Sequence, residues 1–356
     1  MTSTKRTARQ WPMGRLLGGG CSVATFLFAA GAMAASPQKV TVYTALQAEQ
    51  LPVYEKAFEA KFPKFDIEWV RGTPAEITAK LLAEKGDPQA DAIWGLSASY
   101  MMQVDKNGQL EHYRPAGFDQ IKDDFKDRRT GWPVWVGMDA WANAICFNPK
   151  LAADQKLPKP AAWKDLVEPV YKNHIVMPNP TASDTGFLSV AGWIQTFGET
   201  GGWDFMDLLH ENVSSYLYSG AKTCAAVATG DAAIGISFGF AGVKLGNNGS
   251  PVEVIFPKEG LGWEMEATAV VKNAKHLQAA QAVADFSASA EANALYNSYY
   301  QILARKDVAV TLPDNYPTGE EEALVSPNDF VAIAARRQAI LDEWEKRYSG
   351  KNAPKS

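Results

Sequence analysis

Three features of the sequence predict an α/β fold in two lobes. Short β-branched runs alternate with amphipathic helices, that rhythm restarts after residue 150, and two long extended segments separate the two series. Lys39–Thr44 alternates and reads as a strand. Residues 47–61 follow with Leu51, Tyr54 and Phe58 at helical spacing. Phe65–Val70 is a second strand, and Pro74 opens a helix to Lys85 at a position where proline is tolerated. Ala90–Trp94 is a third, buried strand, and Ser97 stands where it can cap the next helix. The apolar stretch Trp132–Asn148 exceeds an ordinary strand and is expected to leave one sheet and enter another.

The second series has strands at His174–Met177, Ala233–Phe238 and Pro251–Phe256, and helices at Thr185–Phe197, Trp203–Asn212 and Ala221–Gly230. Glu264–Val271 is the expected return crossing, followed by helical residues 277–300 and a last amphipathic helix over 328–348. The expected division is 1–34 leader, 35–139 first lobe, 140–265 second lobe, 266–350 return to the first lobe, and 351–356 loose tail.

The leader reads as a secretory signal. Lys5, Arg6, Arg9 and Arg15 precede an uncharged run from Leu16 to Ala32, and Ala32-Met33-Ala34 is a small-x-small cleavage pattern. The expected location is therefore the periplasm. Cys21 does not suggest a lipid anchor, because much of the apolar run follows it. Removing 1–34 leaves 31 basic against 40 acidic residues, a charge of −9 that argues against nucleic-acid binding. Two cysteines remain, Cys146 and Cys224. In an oxidising compartment they either pair or stay as two buried thiols.

Open α/β sheets bind ligands beyond the carboxyl ends of their strands, so the loops there carry the functional reading. Met177–Phe187 passes from a strand through Ser183, Asp184 and Thr185 into a helix. Helix amides plus hydroxyls make an anion site without a basic residue, although the same serine or threonine can simply cap its own helix. Tyr218-Ser-Gly-Ala-Lys222 repeats the arrangement, and the loops after Thr44 and at Ser97 repeat it in the first lobe. Asp139, Glu264 and Glu266 interrupt the two apolar crossings. A desolvated carboxylate is costly unless it meets a cation, and a ligand ammonium is one. Trp94, Trp141, Tyr218 and Trp263 are aromatic walls for such a cation, or else core residues.

The chain lacks a phosphate loop and a His-Glu-x-x-His motif, and its four histidines lack metal spacing, so no metal or cofactor is expected. Gly235-Ile-Ser-Phe-Gly239 matches a nucleophile elbow around Ser237. A serine hydrolase also needs an acid and then a histidine further on, and His276 alone follows, with little room for the βα units between. No enzyme is expected.

Several segments together resemble the periplasmic substrate-binding proteins of ABC transporters. They include Val42-Tyr-Thr-Ala, Trp94-Gly-Leu, Trp135-Val-Gly-Met-Asp139, Ala144-Ile-Cys-Phe-Asn148, Val176-Met-Pro-Asn-Pro180 and Phe256-Pro-Lys-Glu-Gly-Leu-Gly-Trp263. The resemblance is to the type 2 group that includes ferric-iron and sugar-phosphate binders, and within it to 2-aminoethylphosphonate-binding proteins. It implies a two-lobed type 2 periplasmic binding fold with a two-strand hinge and a ligand cleft. The implied partners are a small-molecule ligand and an inner-membrane ABC permease, with the protein a monomer. The family's anion loop falls on Ser183–Gly186, where Asp184 stands in place of the small residue common in relatives. Iron-binding relatives carry a tyrosine pair where this chain has Phe238, Gly239 and Phe240. Ser183, Thr185, Gly186 and Ser219 are expected to hold the phosphonate, with Thr44 or Ser97 reaching from the other lobe. Asp139 and Glu266 are expected to hold the amine, with Trp94 and Tyr218 as walls.

Overall fold

Among the described residues one mixed sheet of ten strands carries the protein. The computed structural model describes residues 36–127, 129 and 131–354. The leader and Cys21 lie outside them. The first wing runs β1 (Gln38–Thr44), α1 (Leu51–Lys61), β2 (Phe65–Arg71), α2 (Pro74–Ala83), β3 (Ala92–Ser97) and α3 (Ala98–Lys106). β1 lies between β2 and β3, parallel to both. Thr73 and Glu76 close a capping box on α2, with Pro74 at its first position, as the sequence requires. The Ser97 hydroxyl does not cap α3; it turns instead to Asp184.

The long apolar stretch is a single strand, β4 (Val136–Phe147). Its first part pairs antiparallel with β9, and Asn143–Phe147 pairs antiparallel with β7. One strand therefore belongs to both wings. The second wing continues α4 (Pro149–Gln155), β5 (Ile175–Pro178), α5 (Asp184–Phe197), α6 (Glu199–Asn212) and β6 (Val213–Leu217). It then runs α7 (Gly220–Thr229), β7 (Ile234–Phe238), α8 (Gly239–Asn247) and β8 (Glu253–Ile255). β9 (Trp263–Val270) returns between β3 and β4, antiparallel to both.

Cys146 on β4 and Cys224 on α7 are disulfide-bonded, with Cα atoms 5.5 Å apart. The expected helix over 277–300 is two, α9 (Leu277–Ser287) and α10 (Ala290–Tyr296), because Ser289 stops one and caps the other through Ala292 N–H. β10 (Ile302–Leu303) and α11 (Phe330–Tyr348) follow.

α11 meets both wings: Arg337 packs on Tyr100 of α3, while Trp344 and Tyr348 pack on Tyr216 and His210 of the second wing and Arg336 pairs with Glu199. The end of the described chain is tied down at Lys351. Its ammonium donates to the carbonyls of His210 and Val213, and Ala353 N–H donates to Tyr216. Unpaired carbonyls at the end of a helix and an open sheet edge both favour such a strap.

Candidate functional site

The head of α5 lies against the end of β5, where a Cβ on Gly186 would come within 2.6 Å of Pro178 O. The head of α7 lies against that of α5, where a Cβ on Gly220 would come within 2.5 Å of Thr185 Oγ1. Only glycine permits either approach. The α7 head is fixed from beneath, because the Gly220 carbonyl accepts from both Thr223 Oγ1 and Ser237 Oγ. Ser183 and Ser219 occupy the N-cap positions of α5 and α7, yet neither side chain makes the capping bond. Two sets of first-turn amides and two half-buried hydroxyls therefore meet beyond the carboxyl ends of β5 and β6, with Thr185 between them. The structure places Ser183, Thr185 and Gly186 on the α5 head and Ser219 on the adjoining α7 head, with Tyr218 half-buried on the loop before Ser219.

Asp184 is not left to repel an anion. Its Oδ1 accepts from Arg337 Nη2 at 2.8 Å, and its Oδ2 accepts from Ser97 Oγ at 3.3 Å. The guanidinium lies 3.8 Å over Phe187 and 4.2 Å over Tyr100, and donates to Ser99 Oγ. Sequence reasoning missed Arg337, since nothing local separates it from the exposed Arg336. Ser97 reaches the α5 head from the first wing through Asp184. Thr44 does not: its hydroxyl accepts from Leu46 N–H at 3.1 Å and closes its own β1–α1 turn.

The acids on the crossings come together. Asp139 on β4 is the direct cross-strand neighbour of Glu266 on β9, and Trp141 of Glu264. Cross-strand partners share a face, so Asp139, Trp141, Glu264 and Glu266 line one side of the crossing. Asp139 is 0 % exposed and neither of its carboxylate oxygens has a hydrogen-bond partner. Glu266 Oε2 is likewise unpartnered. Burial, reinforced by Glu266, pushes Asp139 well above the ordinary carboxylate range. Burial pushes Glu266 up to about 8, against a hydrogen bond from Tyr300. Glu264, which accepts from Ser99 N–H, is pushed up to about 7 by burial.

Tyrosines enclose this pair. Tyr54, Tyr296 and Tyr300 have their phenols raised by burial and then by the nearby charges of Asp139 and Glu266. Tyr54 and Tyr296 meet edge to face at 5.2 Å, and Trp141 lies 6.5 Å from Tyr300. Sequence reasoning missed the tyrosines: Tyr54 and Tyr296 sit on helices and Tyr300 just after α10, with no local sign of their target.

Trp94 is a correction. It is fully buried, stacked on Tyr54, flanked by Trp69 and Phe286, and its indole N–H donates to Tyr296 Oη. It supports the tyrosines from behind and presents no face to a ligand. Trp263 is likewise core, donating to Val325 O.

Ser237 spends its hydroxyl on Gly220, while His276 is held by Asp91 beneath the first wing, so the elbow pattern has no catalytic partner there. Among the described residues no group of three or more histidines, cysteines, aspartates or glutamates is placed to hold a metal ion.

Comparison with known proteins agrees with this architecture. The profile of the bacterial extracellular solute-binding proteins matches residues 87–324. An uncharacterised protein of Haemophilus influenzae is 28% identical over 334 residues, 91% of this chain and 95% of its own length. A probable ABC transporter periplasmic-binding protein, y4fP of Sinorhizobium fredii, is 25% identical over 299 residues, 81% of this chain and 80% of its own. Among solved structures, the periplasmic binding protein AfuA from Actinobacillus pleuropneumoniae, with fructose-6-phosphate bound, superimposes with a TM-score of 0.77. It is 24% identical and covers 88% of this chain and 99% of its own, a likeness of fold. The fold is the type 2 periplasmic binding fold. The chain belongs to the bacterial extracellular solute-binding protein family, and is a non-enzymatic, extracytoplasmic component of an ABC transporter that binds a small ligand and delivers it to a membrane permease.

Proposed function

We propose that the ligand is 2-aminoethylphosphonate, captured in the periplasm after removal of residues 1–34 and passed on by a monomer. One observation carries this reading: two buried acids, Asp139 and Glu266, face each other across β4 and β9 with unpartnered oxygens, walled by tyrosines. Each unpaired buried polar group costs about 1–3 kcal/mol, so the pair calls for a cation, and a primary ammonium with three N–H donors suits it. Aromatic faces add cation–π attraction. The uncapped heads of α5 and α7, with Ser183, Thr185, Gly186 and Ser219, supply the opposite need, an anion with several acceptor oxygens. Asp184, neutralised by Arg337, adds no opposing charge.

The closing lobes are taken as residues 35–139 with 266–350, and 140–265. α11 touches both, through α3 on one side and β6 on the other. Phe238 and Phe240 offer no oxygen where ferric-iron binders carry tyrosine, which disfavours iron. The competing reading is a phosphorylated sugar or phosphate, supported by the helix heads alone.

Calorimetry on the mature protein, stripped of ligand by unfolding, separates these. 2-Aminoethylphosphonate is expected to bind one to one, and ethylphosphonate and phosphate at least about 100-fold more weakly. Asp139→Asn is expected to remove that preference while sparing phosphate. Equal binding of phosphate and 2-aminoethylphosphonate by the wild type would refute the amine site.

A further inference from the structure

Asn143 is fully buried, and neither its amide nitrogen nor its amide oxygen has a hydrogen-bond partner. Side-chain amides in a protein interior are almost always satisfied, so a donor and an acceptor orphaned on one residue point outward, to a ligand. The position is specific. Asn143 lies on β4 four residues beyond Asp139, on the same strand face by alternation. At about 3.3 Å per residue the two Cα atoms are roughly 13 Å apart, too far for one ammonium to serve both.

Asn143 instead belongs to the anion end. It pairs with Phe238 at the carboxyl end of β7, which runs parallel to β5, the strand whose carboxyl end carries the head of α5. Its own backbone is already satisfied, because its N–H donates to Gly262 O. Only the side chain is left over.

We propose that Asn143 grips the anionic group with both amide atoms, Nδ2 donating to one oxygen and Oδ1 accepting from a protonated one. The inference rests on the anion-end reading above. It makes Asn143 a specificity residue. A singly protonated phosphonate or phosphate has oxygens of both kinds. A sulfonate or sulfate is fully ionised at neutral pH and offers acceptors alone, so it would set an oxygen against Asn143 Oδ1. A site built around a buried hydrogen bond rejects analogues that cannot make it far more strongly than a pocket rejects a change of size. Taurine and 2-aminoethylphosphonate share chain length and amine and differ in this proton.

The test is titration of the mature wild type and Asn143→Leu with 2-aminoethylphosphonate and taurine, together with the melting temperature of each protein without added ligand. The wild type is expected to prefer the phosphonate at least 100-fold, and the variant less than 10-fold. The variant's melting temperature should hold or rise, because a buried amide without partners is replaced by an apolar group of similar size. A wild type indifferent between the two ligands overturns the proposal. So does a variant that keeps the preference, or one whose melting temperature falls by several degrees while affinities stay put. If the wild type binds neither amine but prefers phosphate to sulfate, the amine reading fails, and Asn143→Leu is judged on that pair by the same ratios. If it binds none of the four, both readings fall.

Discussion

Arg337 Nη2 donates to Asp184 Oδ1 at 2.8 Å, joining the last long helix to the head of α5. Asp184 also takes the hydroxyl of Ser97, so three elements that are far apart in sequence meet on one carboxylate. Removing Arg337 leaves a bare acid beside the anion end, and breaking a buried ion pair from one side costs about 3–5 kcal/mol. Arg337→Gln is therefore expected to lose stability in urea unfolding and to weaken phosphonate binding at least tenfold. Asp184→Asn combined with Arg337→Gln should recover most of the binding. A double variant no better than Arg337→Gln would show that the guanidinium acts on the ligand directly.

The acids on the crossing set the pH dependence of stability. Glu266 is held near 8 and Glu264 near 7 against an ordinary 4.5, and Asp139 lies well above its ordinary value. Between about pH 4.5 and 8 the folded chain therefore keeps protons that the unfolded chain has released, so stability falls as pH rises through that window. Each pH unit of displacement is worth about 1.4 kcal/mol per group as an upper bound. Denaturant midpoints should decline from pH 5 to 8, Glu266→Gln should flatten the decline, and 2-aminoethylphosphonate added at pH 8 should reverse it. A midpoint that rises across the window would contradict this electrostatic picture.

The disulfide between Cys146 and Cys224 closes a loop of 78 residues that contains most of the second wing. Loop-closure entropy assigns such a link about 4.5 kcal/mol. The double variant Cys146→Ala with Cys224→Ala should lose stability of that order in non-reducing denaturant titrations. Both sulfurs are buried, so reductant should act on the native wild type only after unfolding. Rapid reduction of the folded protein would show that α7 opens locally.

Gly220 tests the meeting of the two helix heads. A methyl group there would sit 2.5 Å from Thr185 Oγ1, so Gly220→Ala must push α5 and α7 apart. Phosphonate affinity should fall by more than tenfold in calorimetry, with a loss of about 1–3 kcal/mol in stability. Unchanged affinity would remove the α7 head from the binding site.

Much of this was legible in the sequence because it was local. The run from Trp132 to Asn148 reads as one extended strand passing between sheets, and Val136–Phe147 of it is β4. Asp139 and Glu266 stood out because an acid inside an apolar strand needs a partner. Asn143 carried the same signal in the same run, and it was overlooked because an amide is less conspicuous than a charge. Trp94 misled because a buried tryptophan looks alike whether it walls a site or fills a core. β3 sits between β1 and β9, and aromatic neighbours cover its indole. Arg337 was illegible, because its importance comes from a helix that crosses to meet Asp184 and Ser99 from more than 150 residues away. The length of the tail likewise says nothing of the strap that Lys351 makes.

β4 runs unbroken from its pairing with β9 into its pairing with β7, and Asp139 stands in the β9-paired part, four residues before the changeover at Asn143. A cation drawn to Asp139 and Glu266 therefore acts close to the fulcrum and not at the jaws. Its pull spans one pair of adjacent strands, and any change of twist there is multiplied by the full length of both arms. A small ligand bearing the amine proposed above would in this way move a large molecule by acting close to its pivot.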